Sequence, residues 1–370
     1  VKSMNVAYVA VAPFVSGSER CLQLILSQCQ RYGVSPVLIT PASSPLKQWA
    51  KAQGITHYSV DLSPSFGKNL LAWLGQQVKL AQIFRRHRIS AIHSNQIWSY
   101  PAVAKVAKFL KIKTFCHLRD PVNNGSRWWL KSQPDHIICI SRHINREYLS
   151  VFNDSLNVQV STLIDPVNAR QALDPAALSA QVAASKNQLA IDPELFTFGY
   201  IGQVAPVKGV LETISALSKL PHQNWRLLIA GKDPSESQDY LHQCQALVTS
   251  LGLQQQVTFV GFLEDVSSFY YACDAIVMLS KEEPLGLIPL EAAMHYTPAI
   301  VNAVGGLPET VDDGRSGWVV DANQEPELMA TFQQAMTADR LQVGLRAREY
   351  AERLSDPVSY FEKLAELYRQ

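Results

Sequence analysis

Short apolar runs alternate with longer amphipathic stretches along most of the 370 residues. Runs at residues 5–12, 36–40, 91–93, 113–117, 136–140 and 158–164 read as buried strands in the first half. Runs at 196–201, 225–230, 257–260 and 275–279 do the same in the second. Helical spacing follows at 18–32, at 69–87, after Pro101, from Ser141 to about Leu149, and from about Gly209 to Leu220. Three more helical patterns follow Val320, the last opening at Ser355-Asp356-Pro357 with a cap and a proline suited to the first turn. Strands that are apolar throughout and separated by helices predict parallel sheets covered on both faces. Residues 170–193, rich in Ala, Gln and Asp, read as a helix plus a linker.

The stretch 257–320 holds the densest chemistry. The apolar run 275–279 is followed by a polar break and by a helix from about Pro289, whose missing N–H is no loss in a first turn. Gly286 permits close approach of backbone to a ligand. The amides of Gly286, Leu287 and Ile288 then face out of a helix start, a natural place for a phosphate. Glu283 and Glu291 flank this turn, and Gly305-Gly306-Leu307-Pro308-Glu309 follows. Upstream, Gly202-Gln203 and Lys208-Gly209 lie between a strand and a helix, and Gly231-Lys232 and Gly261-Phe262 each end a strand. Taken singly, the glutamates read as solvated charges and Lys208 as a surface lysine. The residues themselves mark a phosphate site at the helix start after Gly286.

This pattern resembles the donor-binding signature of glycosyltransferase family 4, retaining enzymes of the GT-B fold. The family's E-x-F-G-x-x-x-x-E is carried by Glu283, Gly286 and Glu291, with Leu285 in place of the aromatic, and Gly305 to Glu309 match its G-G-x-P-E. The resemblance implies that Glu291 holds ribose hydroxyls and Glu283 faces the transferred sugar. A carboxylate beside a pyrophosphate is tolerable when its oxygens accept from hydroxyls. The family's G-R-x-x-x-x-K-G appears with Lys208 and Gly209 kept and its arginine replaced by Gln203, which retains a donor but loses the charged fork. By the same resemblance Gly231 and the Phe262 backbone belong to the donor site. Gly17, in Ser16-Gly17-Ser18-Glu19-Arg20, stands where the family has its first glycine turn. His117 ends the strand that carries the family's histidine. Where the family shows N-G-V-D, this chain has Asp165-Pro166-Val167-Asn168.

Composition narrows the setting. The chain is 47% hydrophobic and 18% charged, enough for two cored domains. No run reaches the ~18 apolar residues of a membrane span. No charged-then-apolar leader opens it, and Val1-Lys2-Ser3 ahead of Met4 reads as an added remnant. The six cysteines form no C-x-x-C pair, which predicts buried thiols in a reducing compartment. The net charge of +1 divides into 21 − 8 = +13 for residues 1–190 and 12 − 24 = −12 for the rest. A basic half suits an anionic partner such as a lipid phosphate, a membrane surface or an acidic glycan, or attraction to the acidic half. The helix ending in Arg85-Arg86-His87-Arg88 and the run Arg127-Trp128-Trp129-Leu130-Lys131 fit either a membrane or acceptor surface or ordinary helix packing.

The expectation is therefore an α/β protein of GT-B type with two Rossmann-like, doubly wound parallel sheets and a cleft between them. Its expected parts are an acceptor domain at 1–170, a linker at 171–193, a donor domain at 194–354, and a helix at 355–370 that crosses back to the first domain. The expected activity is retaining hexosyl transfer from a nucleotide-diphospho-sugar, a UDP-sugar, to a glycan or lipid-linked acceptor in bacterial surface polysaccharide synthesis. Glu283, His117 and Lys208 are the expected catalytic residues. Gly17, Gln203, Lys208, Gly231, Phe262, Gly286, Leu287, Ile288 and Glu291 are expected at the donor. No D-x-D pair is present, so neither metal nor cofactor is expected, and no nucleic acid. The expected location is cytoplasmic, peripheral at the inner face of a membrane. The alternatives are a nucleotide-sugar epimerase of the same fold and a non-catalytic nucleotide-sugar-binding protein.

Overall fold

The computed structural model describes residues 4–65, 67, 69–152, 158–221 and 224–370. The remnant read at Val1 to Ser3 lies outside the described residues. The chain divides into two compact units, Val1–Pro166 with Pro357–Gln370, and Val167–Asp356.

The first unit is built on seven parallel strands: β1 (Met4–Val9), β2 (Val34–Thr40), β3 (Thr56–Ser59), β4 (Ala91–Ser94), β5 (Lys113–Leu118), β6 (His136–Cys139) and β7 (Gln159–Thr162). Their order is β3-β2-β1-β4-β5-β6-β7. The direction of winding reverses between β1 and β4, the kind of switch point where doubly wound sheets bind ligands at the carboxyl ends of strands. β1 is buried along its last four residues, and its Val6 and Tyr8 pack on one side of the sheet with Leu22, Ile25 and Leu26 of the helix Gly17–Gln28. The C-terminal helix Pro357–Arg369 joins the same cluster through Tyr360, Phe361, Leu364, Ala365 and Tyr368. Those positions recur at i, i+1, i+4, i+5 and i+8, one face of a helix.

The second unit carries six parallel strands: β8 (Phe196–Ile201), β9 (Trp225–Ala230), β10 (Val257–Gly261), β11 (Ala275–Met278), β12 (Ala299–Asn302) and β13 (Gly317–Val320), in the order β10-β9-β8-β11-β12-β13. Alternate residues feed opposite faces, as a strand requires. Leu227, Ile229, Ala275 and Val277 enter one apolar cluster. Leu228, Ala230, Ile276 and Met278 enter the other. The switch point lies between β8 and β11. Their ladder is registered only at Phe198 and Gly199, so the strands part toward their carboxyl ends.

The segment expected as a linker is folded into this second unit. Its helix Pro175–Gln188 is capped by Asp174 and packs Leu178 with Tyr271 and Tyr296. Lys186, 6% exposed, is tied to Asp274 at 3.1 Å, and Asp274 in turn receives the Thr197 amide at 2.7 Å. A buried cation held in this way fixes the segment to β8 rather than leaving it free. All six cysteines are buried and none is in a disulfide.

Candidate functional site

The β8/β11 switch point of the second unit gathers most of the residues singled out above. Lys208 ends a short helical turn, Pro206–Lys208, and Glu283 lies in the loop after β11. Lys208 Nζ donates to Glu283 Oε2 at 2.6 Å, with both side chains only partly exposed. This charge-assisted contact joins two loops that are far apart in sequence. Gly209, at φ 72°, brings that turn against β11, where an added Cβ would stand 2.1 Å from Leu279 O.

The loop bearing Glu283 is seated by the glycine pair that follows β12. Gly306 N donates to Glu283 O at 2.8 Å. A Cβ on Gly305 would come within 2.0 Å of that same oxygen, and one on Gly306 within 2.3 Å of Pro284 O. The Gly-Gly of the motif is thus a backbone cradle for Glu283.

Gly286 behaves differently from the sequence reading. It precedes the helix Leu287–Ala293 at φ 91°, but the space a Cβ would take is occupied by Leu307 Cδ2 at 2.5 Å. The positive φ and this packing each require a glycine here. Pro289 sits in the first turn, as expected. Leu287 opens the helix, and Ile288 packs toward Gly202, with its Cδ1 3.5 Å from where a Gly202 Cβ would lie. Glu291 is half-buried and accepts from Tyr270 OH at 3.1 Å.

Gln203 is exposed, and its backbone oxygen accepts from Tyr200 OH at 2.6 Å. Burial, with Tyr240 and Glu283 nearby, raises the Tyr200 phenol above its ordinary range, so it serves as a neutral donor here. Gly231 is a second backbone crossing, since a Cβ there would lie 1.7 Å from Gly202 O. Beside it, Lys232 O accepts from Val204 N at 2.9 Å, and the Lys232 ammonium lies 4.7 Å from the centre of the Phe262 ring. Phe262 is 53% exposed, an aromatic held out to solvent and capped by a cation.

The remaining two residues belong to the first unit. Gly17 is exposed at the start of the helix Gly17–Gln28. His117 is fully buried near the end of β5. Its Nδ1 faces Arg119 Nη2 at 3.1 Å. A guanidinium can only donate, so Nδ1 carries the lone pair and the proton sits on Nε2. Burial, then the charge of Arg119, then His93 hold its pKa well below the ordinary histidine value. His117 is therefore a neutral donor, unsuited to act as a cation.

Around it lies a polar network that local sequence patterns do not reveal. Arg119 is ion-paired with the buried Asp165, whose other oxygen is 3.7 Å from His117 Nε2. His93, its ring 5.4 Å from that of His117, shares a 2.7 Å hydrogen bond with Tyr368 of the C-terminal helix. At the start of the helix Gly17–Gln28, the buried Glu19 accepts from Ser16 N at 3.1 Å and from Ser18 Oγ at 2.9 Å, and from Gln96. Asp165 is one of the three residues by which the chain departs from its resembled turn, and here it neutralises Arg119. The run His117-Leu118-Arg119-Asp120 is the one sequence signal that could have drawn attention to the arginine.

Comparison with known proteins bears on the family and the fold. The family profile described as "Glycosyl transferases group 1" matches residues 181–353, and that of "Glycosyltransferase Family 4" matches 15–160. The D-inositol 3-phosphate glycosyltransferase of Mycobacterium sp. (strain KMS) is 30% identical over 175 residues, 47% of this chain. That match spans only 39% of the relative's own length. The structure of Anabaena HepE in complex with UDP and glucose superposes with a TM-score of 0.83 at 20% identity, covering 99% of this chain and 100% of the other. A glycosyltransferase structure from Rickettsia africae ESF-5 gives 0.87 at 18% identity, covering 100% and 98%. At such identities the likeness speaks for the fold, and with two parallel-sheet units that fold is GT-B. With one profile on each unit, the chain belongs to the group 1 glycosyltransferases of family 4.

Proposed function

We propose that this protein is a retaining glycosyltransferase that uses a nucleoside-diphospho-sugar, a UDP-sugar, and passes the hexose to a glycan or lipid-linked acceptor in surface polysaccharide synthesis. The observation that carries the reading is the Lys208–Glu283 pair at the parted carboxyl ends of β8 and β11. A diphosphate arriving there competes with Glu283 for the ammonium. Once Lys208 turns to the phosphate, the Glu283 oxygens are released to accept from sugar hydroxyls. The acceptor hydroxyl attacks the anomeric carbon on the face the diphosphate leaves. The carbon–oxygen bond to the diphosphate breaks as the new glycosidic bond forms, and the hydroxyl proton passes to the departing phosphate oxygen. Lys208 and the first-turn amides of Leu287 and Ile288 stabilise the growing negative charge. Glu291 holds the ribose, and Phe262 marks the base. His117, neutral and with its proton on Nε2, is not assigned a proton transfer. That HepE was solved with UDP and glucose supports the choice of donor. The chemistry needs no metal.

The test is calorimetry over nucleoside diphosphates followed by product analysis. UDP should bind best, and binding should survive a chelator. Glu291→Ala should weaken UDP binding by roughly 1.5–3 kcal/mol, the range for charged hydrogen bonds. Glu283→Ala should keep or tighten UDP binding, since the competitor for Lys208 is gone, and abolish turnover. Equal UDP affinity in wild type and Glu291→Ala would overturn the site assignment. An inverted anomer in the product would overturn the mechanism.

A further inference from the structure

The first unit carries a face that the proposed transfer chemistry does not use. Residues 62–119 contain ten lysines and arginines and no aspartate or glutamate. By unit, the charge is 21 − 9 = +12 for the first and 12 − 23 = −11 for the second. Two helices of this acid-free stretch, Leu70–Arg86 and Tyr100–Leu110, lie side by side, joined by Gln77 Nε2 donating to Ala102 O at 3.0 Å. Lys105 also rests over the Trp73 ring at 4.9 Å.

The helix Leu70–Arg86 carries apolar residues on its exposed side as well as on its buried one. Gln76, Leu80, Ile83 and Phe84 form its buried side. Leu71, Leu74 and Val78, spaced i, i+3 and i+7, stand on the opposite side at 81%, 45% and 56% exposure. A surface helix of a soluble domain normally carries charge there. The outward stripe turns basic only at its end, with Arg85 and Arg86. On the adjoining helix Phe109 is 75% exposed, between Lys108 and Lys111. Beyond it opens a basin of about 680 Å³ lined by Lys105, Lys108, Lys111, Lys113 and Lys131. Among the described residues, the ion pairs include none of these lysines. The one carboxylate in the basin, Asp135, is turned to the Thr114 amide and hydroxyl at 2.8 Å each.

We propose that this face docks on an anionic lipid bilayer, with Leu71, Leu74, Val78 and Phe109 entering the acyl boundary and the lysine basin receiving lipid phosphates. An exposed apolar stripe bordered by unpaired cations is the composition that partitions to a charged interface, because each part offsets the weakness of the other. Charge alone would suit a nucleic acid or an acidic protein, but neither rewards a solvent-facing Leu-Leu-Val row. The proposal does not depend on the donor or on the transfer reaction.

Vesicle co-sedimentation tests it with the intact chain. Vesicles of phosphatidylcholine with phosphatidylglycerol should bind the protein at least about tenfold more tightly than phosphatidylcholine alone, and ~0.5 M salt should release it. Leu71→Gln with Val78→Gln, and separately Lys108→Gln with Lys113→Gln, should each lower that binding about tenfold. All four positions are exposed, and unchanged thermal unfolding verifies that the variants are folded. Wild-type binding indifferent to phosphatidylglycerol overturns the proposal. So does retention of full binding by the leucine–valine pair, which would leave only diffuse charge, or loss of self-association instead, which would make the face a contact between copies.

Discussion

At the level of single residues, Gln203 is where the chain departs most clearly from its family's diphosphate clamp. Its side chain is exposed, and its backbone is fixed by the Tyr200 hydroxyl. We expect Gln203→Arg to tighten nucleoside diphosphate binding several-fold in calorimetry, since a charge-assisted contact is worth about 1.5–3 kcal/mol. The competitor is Lys232, whose carbonyl bonds the neighbouring Val204 and whose ammonium rests over Phe262. Flat or weakened affinity in Gln203→Arg would mean that Lys232 already supplies the missing charge. His93 gives a second test. Burial first, then Arg119, lowers its pKa to about 3. The folded value lies below the unfolded one, so the unfolded chain binds the extra proton, and the stability His93 permits is full above about pH 6.5 and drains away on acidification. Asp120, raised to about 6 chiefly by burial, acts in the opposite sense over part of that window. Comparing His93→Asn with wild type removes the Asp120 contribution. The variant should flatten the acid-side slope of unfolding free energy by about 1.4 kcal/mol per pH unit. Identical slopes would show that His93 does not titrate with unfolding.

At the level of elements, the site is held by backbone crossings more than by side chains. Gly305 is the clearest case, with φ 60° and only 2.0 Å between an added Cβ and Glu283 O. Gly305→Ala should cost about 1–3 kcal/mol in urea unfolding, from strain and from a displaced Glu283 loop. A cost below the error of the measurement would mean that the loop moves freely and Glu283 is not seated by the pair. This cradle was half legible: the Gly-Gly motif was visible, its carbonyl partner was not. The apolar runs placed β1, β5, β8, β9 and β11 closely, because a buried parallel strand is apolar without interruption. β3 escaped notice because it is an edge strand whose four residues are all partly exposed. The helix Asp239–Ser250 escaped because it buries little beyond Tyr240, Cys244 and Val248, and it opens at a Gln238 with positive φ instead of a capping residue. The Arg119–Asp165 pair joins two strand ends through the fold, and no local pattern encodes such a partner.

At the level of the whole molecule, the first unit is discontinuous in sequence, since Pro357–Gln370 completes what Val1–Pro166 begins. The last helix is therefore part of that unit's core. Leu364 is 3% exposed and packs in the cluster that holds Val6, Tyr8 and Leu22. Tyr368 bonds His93 on β4 at 2.7 Å and sets its ring edge against Phe115 on β5, at 5.1 Å. Arg369 donates to Tyr32 O at 2.9 Å. Leu364→Ala should thus cost about 2–5 kcal/mol, as for other buried leucines truncated in a core. The loss should appear in the first unit: hydrogen exchange at β1, β4 and β5 should rise, while β8, β9 and β11 keep their protection at pH 7. A helix that merely decorated the surface would give a cost below about 0.5 kcal/mol, the usual figure for surface changes, and no change in exchange. Equal deprotection of both sheets would show instead that the two units unfold as one, and the energetic division at Pro166 and Pro357 would have to be abandoned.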